Sequence, residues 1–293
     1  MFCPGPGDSS GPKDHVPAPL NVLTIDVEEY FHTAVFQRAV NDAGQGARAF
    51  HSRCADPLWW LLDVLETSRQ RATFFCLGVF AESHPGLIRQ IARCGHEVAC
   101  HGHEHRSVRE MDLGQFRSDV LQASDAIVEA CGQVPVGYRS PSFSLGPGDR
   151  RYHEVLHDLG FRYDSSAFPA ALAGPDHARA ARRPAEMTPG LWELPVAVAR
   201  WGPLRLPLGG VFFRAWPYTM TAALLSSMNK DKAPAVLYFH PWEFDEGQPR
   251  VAGMGPVDKA RQYWGLAANR NKFKRLCADF RFMPAVDALD LLT

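Results

Sequence analysis

The alternation of short apolar runs with amphipathic segments constrains the fold of this chain more than any other feature. Residues 20–27, 71–78 and 96–101 read as buried strands. Between them, residues 57–70 and 84–95 have the apolar spacing of helices. Because parallel neighbours need a crossover connection, repeated strand and helix units indicate a parallel sheet.

The same alternation continues to the end of the chain. Further strands are predicted at 136–141, 161–166, 191–198, 235–242 and 280–286. Further helices are predicted at 112–132, 150–160, 219–229 and 258–278, with long loops at 166–190 and 199–217. Seven or so such units predict an α/β fold, a distorted (β/α)7 TIM-like barrel in a single domain.

Length and composition set the outline of the molecule. The 293 residues suit one large domain, which we place at residues 20–293 with a C-terminal extension from about residue 245. Residues 1–19 are too polar and proline-rich for a signal peptide and are expected to form a disordered leader.

Charge and cysteine content limit the classes of binding partner and the cellular compartment that we expect for this chain. A formal net charge of −1 predicts no nucleic-acid partner. No apolar run approaches the ~20 residues that span a bilayer, so no transmembrane segment is expected. The seven cysteines form no Cys-x-x-Cys pair, which favours reduced thiols and a cytoplasmic location. The sequence does not predict the oligomeric state.

The stretch EVACHGHEHRSV at 97–108 contains the clearest chemical signal. His101 and His105 stand four residues apart after a predicted strand, with His103 between them. On a helical turn this spacing puts two imidazoles on one face, which suits two ligands of one metal ion. Gly102 leaves room for the backbone to bend as the strand ends.

Polar residues also follow other predicted strands at their C-terminal ends. The complete set is Asp26, Glu28, His101, Arg139, Asp164 and His240. In parallel barrels the chemistry sits at this edge. Acid, imidazole and guanidinium groups on converging strands therefore predict a catalytic centre.

These residues resemble the motifs of NodB-type polysaccharide deacetylases (carbohydrate esterase family four), metal-dependent barrels that remove N-acetyl groups from amino sugars. The first motif, TFDDG, resembles TIDVE and puts Asp26 in the place of the catalytic base. The second, H-[ST]-x-x-H, resembles HGHEH and assigns the metal ligands to His101 and His105, leaving His103 in the variable interior.

The later motifs of that family are matched further along the chain. R-x-P-[FY] resembles RSPSF, with Arg139 and Pro141. The fourth motif supplies an Asp, here Asp164, and the fifth a His after an apolar strand, here His240. The branch associated with exosortase (PEP-CTERM) and exopolysaccharide gene clusters is the nearest in pattern, through DVEEYFH, GGVFFR, HPWEFD and DFRF.

The first motif departs from the family because Val27 and two glutamates follow Asp26. Strand alternation puts Asp26 and Glu28 on one face, and related barrels use the second acid of an Asp-x-Asp motif as a ligand. We therefore choose Glu28 as the metal carboxylate, with Glu29 as the alternative. The resemblance implies one divalent ion, zinc as the first expectation, with manganese, cobalt or iron as alternatives.

The resemblance also implies a role for each remaining residue. Asp26 would be the general base and Arg139 would keep it ionised, while the amide near Ser140 would help to hold the oxyanion. His240 would be the general acid, with Asp164 holding its other nitrogen and raising its pKa. Substrate contacts are assigned to Ser140, Pro141 and Trp242, with an N-acetylated amino-sugar polymer or a lipid-linked oligosaccharide as the partner.

Several alternatives stay open. Asp164 could be a helix cap, Glu243 and Asp245 are expected to be solvated loop acids, and local packing is favoured for His32. Trp264 and other tryptophans suit sugar stacking or an ordinary core. A cyclic-imide or allantoinase-like hydrolase and an inactive carbohydrate-binding barrel are the competing functions.

Overall fold

The computed structural model describes residues 21–42, 50–170, 175–178, 180–230, 234–251 and 253–293. The leader predicted at 1–19 lies outside the described residues.

Within these ranges ten strands form two sheets. They are β1 (Asn21–Val27), β2 (Thr73–Cys76), β3 (Glu97–Cys100), β4 (Gly137–Tyr138), β5 (Tyr163–Asp164), β6 (Ala185–Thr188), β7 (Leu191–Glu193), β8 (Val198–Trp201), β9 (Leu204–Pro207) and β10 (Ala235–Phe239). The large sheet has the order β10-β1-β2-β3-β4-β5-β7-β6, and β8 and β9 form a separate antiparallel hairpin.

Every neighbouring pair in the large sheet is parallel except β6 and β7. An isolated parallel bridge joins Val196, just after β7, to Val236 in β10. The parallel strands thus form a curled sheet whose two sides approach each other. The predicted α/β barrel-like fold in a single domain is confirmed.

Helices connect and cover the strands. They are α1 (Ala34–Asp42), α2 (Ala55–Thr67), α3 (Gly78–Ser83), α4 (Pro85–Arg93), α5 (Leu113–Cys131), α6 (Arg150–Asp158), α7 (Pro175–Ala178), α8 (Gly210–Ala215), α9 (Tyr218–Lys230), α10 (Pro256–Tyr263), α11 (Leu266–Asp279) and α12 (Ala285–Asp290). Short 3-10 turns lie at Tyr30–His32, Val108–Glu110, Pro141–Phe143 and Pro241–Phe244. No helix in the described part of the chain is long and apolar enough to cross a membrane.

Local sequence explains where the longest helix begins and ends. Asp112 caps α5 by accepting from the amide of Gln115, whose side chain accepts in turn from the Asp112 amide. Gly132 ends α5 in the left-handed conformation at φ 77°. The prediction at 112–132 was therefore correct to within a residue at each end.

The C-terminal third differs from the predictions. The helix expected at 258–278 is broken between α10 and α11, where Gly265 takes a left-handed conformation at φ 75°. Residues 280–286 form no strand: Met283 makes a single bridge to Val22, and Pro284 then caps α12. The loop expected at 199–217 contains the β8–β9 hairpin and α8.

Alternation along the strands separates two apolar layers. Leu23 and Ile25 face outward and pack beneath the helices. Val22, with Phe75 of the next strand, faces the inside of the curl, and Ala288 of α12 packs against this inner layer. Because side chains alternate, Asp26 shares the inner face with Val22. The fold thus points Asp26 into the interior of the curled sheet.

Candidate metal centre and active site

A cavity of about 260 Å³ opens at the C-terminal edge of the curled sheet. Its polar lining includes Asp26, Glu28, His101, His105, Ser140 and His240. Each of these follows or ends a parallel strand or lies in the loop beyond one. Parallel barrels carry their chemistry at this edge because the strand-to-helix loops converge there.

Glu28, His101 and His105 form a compact cluster of possible metal ligands. Their ligand atoms all lie within 4.8 Å of one another. The Oε2 atom of Glu28 is 2.5 Å from Nε2 of His105 and 3.8 Å from Nε2 of His101. Two imidazole nitrogens and a carboxylate form a ligand set that leaves further positions open on a bound ion.

The surroundings of this cluster orient its donors towards one point. His101 Nδ1 lies 2.8 Å from the carbonyl oxygen of Arg139. A carbonyl can only accept, so Nδ1 carries the proton and Nε2 keeps its lone pair for a ligand bond. The indole N–H of Trp242 donates to Oε1 of Glu28 at 3.1 Å, which fixes that carboxylate. These contacts fit a divalent ion held by two nitrogens and one oxygen.

Electrostatics keep Glu28 ionised. Burial alone raises the pKa of its carboxyl group, but the charges of surrounding imidazoles, those of His105 and His240 first, outweigh burial. The pKa of Glu28 is therefore held well below its ordinary value. A carboxylate in this state is ready to bind a cation.

The loop that carries the two histidines is not a helical turn, contrary to the sequence prediction. Residues 101–107 are irregular, with Gly102 at φ 74° and His105 at φ 59°. Two left-handed residues turn the chain so that the His105 imidazole comes back to Glu28. The histidine between them points elsewhere: its amide donates to Asp119 and its ring packs against Gly78.

Glu29 lies on the other side of the backbone from the cluster. Its carboxylate accepts from the Ser52 hydroxyl and from the amides of Arg53 and Cys54, at the start of α2. The structure thus brings Glu28, and not Glu29, to the two histidines.

We expect Glu29→Gln to retain the bound metal and to lower the free energy of unfolding. The glutamine side chain has one acceptor oxygen where Glu29 has two, so part of the hydrogen bonding to its buried donors is lost. An unsatisfied buried group costs about 1–3 kcal/mol. Thermal denaturation and metal analysis of the purified variant check both parts. Loss of the metal from a folded Glu29→Gln variant would move the ligand assignment from Glu28 to Glu29.

Asp26 and Arg139 form a buried ion pair beside the cluster. Arg139 donates to Asp26 Oδ1 and to the Thr24 hydroxyl, both at 2.7 Å. It also donates to the carbonyl and the hydroxyl of Ser165, and its guanidinium lies 4.2 Å from the Phe75 ring centroid. Arg139 is fully buried, so its contacts fix the orientation of Asp26 in the cavity wall.

The three residues predicted to contact the substrate differ in their position relative to the cavity. Ser140 and Trp242 line the cavity, whereas Pro141 does not line it within the described residues and lies near Gly102. The Ser140 amide, predicted to help hold an oxyanion, donates instead to Ser166 Oγ at 2.8 Å. The Ser140 amide itself is thus engaged, and the role of an amide near Ser140 in holding the oxyanion stays a prediction. Ser142 also lines the cavity, with left-handed backbone at φ 54°.

His240 is held by Glu243 and not by Asp164, which corrects the predicted pairing. His240 Nδ1 lies 3.1 Å from Glu243 Oε2, and the His240 amide donates to the same oxygen. Arg214 Nε donates to the other oxygen of Glu243 at 2.8 Å, and both of these side chains are fully buried. Asp164 instead contacts His153 and Ser166.

The Nε2 side of the His240 ring faces the centre of the cavity. His240 Nε2 lies 3.7 Å from Glu28 Oε1 and 3.8 Å from Asp26 Oδ2. Burial alone lowers the pKa of His240, but three surrounding carboxylates outweigh it and raise the pKa to about 9. These carboxylates belong to Glu28, Glu243 and Asp26. His240 is thus prepared to carry a proton at neutral pH.

We expect Glu243→Gln to move the alkaline limb of the pH–rate profile to lower pH. An acid must be protonated to act, so activity is present below the pKa of His240 and lost as pH rises through it. Removing the Glu243 charge lowers that pKa, because one of the carboxylates that raise it is gone. Glu246→Gln, at an exposed position three residues later, is the matched control. An unshifted limb in an active Glu243→Gln variant contradicts the pairing.

The roles of Glu243 and Arg214 were not predicted from the sequence. Glu243 was expected to be a solvated loop acid, and Arg214 was noted only as part of the GGVFFR match. Local packing was favoured for His32, and its contact with the ligand loop is a packing contact of this kind. The His32 ring stacks on His105 with 5.2 Å between ring centroids. Burial, followed by the charge of His105, lowers the pKa of His32 to about 4. His32 thus supports the ligand loop as a neutral ring.

Comparison with known proteins found two matching family models. Residues 55–163 match the family model described as polysaccharide deacetylase. Residues 165–290 match a second model, described as a domain of unknown function (DUF3473). The second model contains His240, Glu243 and Arg214.

Curated relatives match over part of the chain. A chitooligosaccharide deacetylase from Rhizobium leguminosarum bv. trifolii is 41% identical over 76 residues, 26% of this chain and 35% of that protein. One from Sinorhizobium fredii is 35% identical over 119 residues, 39% of this chain and 55% of that protein. A peptidoglycan-N-acetylglucosamine deacetylase from Bacillus cereus is 28% identical over 81 residues, 28% of this chain and 30% of that protein. The chain thus spans about a third to a half of the relatives it matches.

Solved structures show the fold over nearly the whole chain. A protein from Mycobacterium smegmatis assigned as a polysaccharide deacetylase has a TM-score of 0.61 at 21% identity, covering 97% of this chain and 94% of that one. A Bacillus anthracis protein described as a CE4 family pseudoenzyme has a TM-score of 0.51 at 13% identity, covering 94% of this chain and 67% of that one.

A curled parallel sheet with a polar centre at its C-terminal edge defines an α/β barrel of the kind that enzymes use. Residues 55–163 are thus similar in sequence to polysaccharide deacetylases, and the chain shares the fold of the solved structures.

Proposed function

We propose that this protein is a metal-dependent hydrolase that removes N-acetyl groups from amino sugars. The observation that carries the proposal is the cluster of Glu28, His101 and His105 with Asp26 and His240 beside it. This arrangement supplies three ligands, a base and an acid around one cavity. A divalent ion held by the three ligands, with zinc as the first candidate, would acidify a bound water and polarise the amide carbonyl.

Asp26 is proposed to accept the proton of the attacking water. Its Oδ1 is occupied by Arg139, and Oδ2 is directed towards His240 and the cavity. The Arg139 guanidinium holds the carboxylate in place, which a general base requires. With the Ser140 amide engaged, Ser142 is the nearest candidate among the cavity-lining residues of this loop for holding the developing oxyanion.

His240 is proposed to give a proton to the departing amine. A pKa of about 9 keeps this imidazole protonated until the leaving nitrogen needs the proton. Glu243 holds Nδ1 and leaves Nε2 facing the cavity, so the proton is delivered from Nε2. Arg214 positions Glu243 and takes no part in the proton transfer itself.

The substrate is proposed to be an N-acetylated amino sugar in a polysaccharide or a lipid-linked precursor, in keeping with the exopolysaccharide branch. The cavity of about 260 Å³ is at the lower end of the ~300–1,000 Å³ common for small-molecule sites, which suits one sugar unit. The Trp264 side chain is 63% exposed and follows Arg261 and Gln262, which line the cavity. An exposed aromatic beside the opening favours a sugar chain over a small enclosed ring. The cytoplasmic location stays a prediction from the sequence.

The direct test is a substrate panel with the purified, zinc-loaded chain. We expect acetate release from N-acetylglucosamine oligomers and no ring opening of allantoin or cyclic imides. Ring opening without acetate release would favour the imide-hydrolase alternative. Metal binding with neither reaction would favour an inactive carbohydrate-binding barrel, a case like the pseudoenzyme that shares the fold.

We expect Trp264→Ala to raise KM for amino-sugar oligomers while leaving kcat nearly unchanged. Aromatic stacking contributes about 0.5–1.5 kcal/mol, which corresponds to roughly a 2- to 12-fold change in KM. Trp59→Ala is the matched control, because Trp59 is an exposed tryptophan on α2 and, unlike Trp264, has no cavity-lining residue near it in the sequence. Equal KM values for the Trp264 variant and the wild type on long oligomers would remove this tryptophan from the substrate path.

A further inference from the structure

Asp164, released from the expected pairing with His240, belongs to a second buried cluster. Its partners are His153 on α6 and Glu193 at the end of β7. Asp164 and Glu193 are direct neighbours in the parallel register of β5 and β7. His153, Asp164 and Glu193 have 1%, 0% and 5% of their surface exposed, and none of them lines the active-site cavity.

Three polar atoms of this cluster have no hydrogen-bond partner among the described residues. They are the two ring nitrogens of His153 and Oδ2 of Asp164. A buried polar group without a partner is costly, so native structures pair nearly all of them with protein, water or an ion. His153 Nε2 faces Asp164 Oδ2 at 3.4 Å, and the three side chains each offer a ligand atom within 4.8 Å of the others.

The remaining carboxylate oxygens are already fixed by the protein. Ser166 Oγ donates to Asp164 Oδ1 at 2.5 Å, and the Ala167 amide donates to Glu193 Oε1 at 3.0 Å. One oxygen of each carboxylate is thereby oriented by a donor, and Oδ2 of Asp164 is left without a hydrogen-bond partner among the described residues. Outer contacts of this kind are what holds the ligands of metal sites in place.

Geometry and charge both match a cation. In a tetrahedral site with bonds of about 2.0–2.1 Å, ligand atoms are about 3.3–3.4 Å apart. The 3.4 Å between His153 Nε2 and Asp164 Oδ2 fits that spacing. Two buried carboxylates that are direct neighbours in the strand register also favour a cation beside them.

We propose that His153, Asp164 and Glu193 bind a second divalent metal ion of the zinc class, separate from the catalytic one. Its role is structural. Ser166 links the cluster to the Ser140 amide, and the adjacent Ser165 holds Arg139. An ion at this position fixes the strand ends that orient the guanidinium beside Asp26.

The test is metal analysis of the full chain purified with zinc, by inductively coupled plasma mass spectrometry. We expect two equivalents in the wild type, one in Glu193→Gln, one in Glu28→Gln and none in the double variant. His157→Gln, at an exposed position one turn further along α6, is the control and keeps two equivalents. A folded Glu193→Gln variant with two equivalents overturns the proposal.

Glu28→Gln keeps the test decisive if Glu193→Gln does not fold, because the second cluster is intact in it. X-ray absorption of its zinc should show one imidazole and oxygen ligands only. A Glu28→Gln protein without zinc overturns the proposal. A wild type with one equivalent that survives in Glu28→Gln and is lost in Glu193→Gln supports this second site while contradicting the catalytic one.

Discussion

Replacing His105 by glutamine is expected to lower the metal content by one equivalent per chain and to abolish acetate release. His105 Nε2 is the imidazole nitrogen closest to Glu28, so its removal breaks the cluster. Without the ion the attacking water returns from a pKa near ~7 towards 15.7. The loss of activity should exceed the ~10²–10⁴-fold expected for losing a general acid or base. Metal analysis and an acetate assay measure the two effects.

His103→Gln is the matched control, since His103 lies in the same loop but contacts Asp119 and Gly78. We expect it to keep both the metal and most of the activity. A His105→Gln variant that retains full metal content and normal acetate release would contradict the ligand assignment.

Replacing Asp26 by asparagine is expected to lower kcat by about 10²–10⁴-fold while the metal stays bound. The change keeps the shape of the side chain and a hydrogen bond to Arg139, but it removes the group that accepts the water proton. KM should change little, because Asp26 acts on the water and not on the sugar. Steady-state kinetics with metal analysis separate these terms.

Stability has to be measured in the same variant. Breaking a buried ion pair costs up to about 3–5 kcal/mol, and Asp26→Asn leaves the buried Arg139 without its counter-charge. Thr24→Val is the control, because Thr24 also accepts from Arg139 on the same face of β1 but has no catalytic role. A folded Asp26→Asn variant with wild-type kcat would rule out this residue as the base.

Strand and helix alternation was sufficient to predict the parallel sheet and the edge at which the site lies. The period-two pattern put Asp26 and Glu28 on one face of the first strand, and both line the cavity. Prediction from the sequence fails where a short element depends on contacts with residues that are distant along the chain. The last strand was predicted from an apolar run, but Pro284 converts that run into the start of α12.

The residues of the centre could be predicted from the sequence, but which side chains contact one another could not. Glu243 lies in a 3-10 turn three residues after His240, where no strand or helix period indicates its direction. Arg214, 29 positions earlier, pairs with that carboxylate and, together with His240, allows it to be buried. Asp164 was given the wrong partner because His153 reaches it from a neighbouring helix, a contact without any local sequence signal.

The central claim is that an ion held by Glu28, His101 and His105 is required for N-acetyl hydrolysis. Acetate release from N-acetylglucosamine oligomers should be measured on one preparation before chelation, after chelation, and after zinc is restored. We predict that acetate release disappears when the metal ion is removed from the catalytic site and returns when zinc is restored. Undiminished acetate release from protein shown to contain no metal would contradict it.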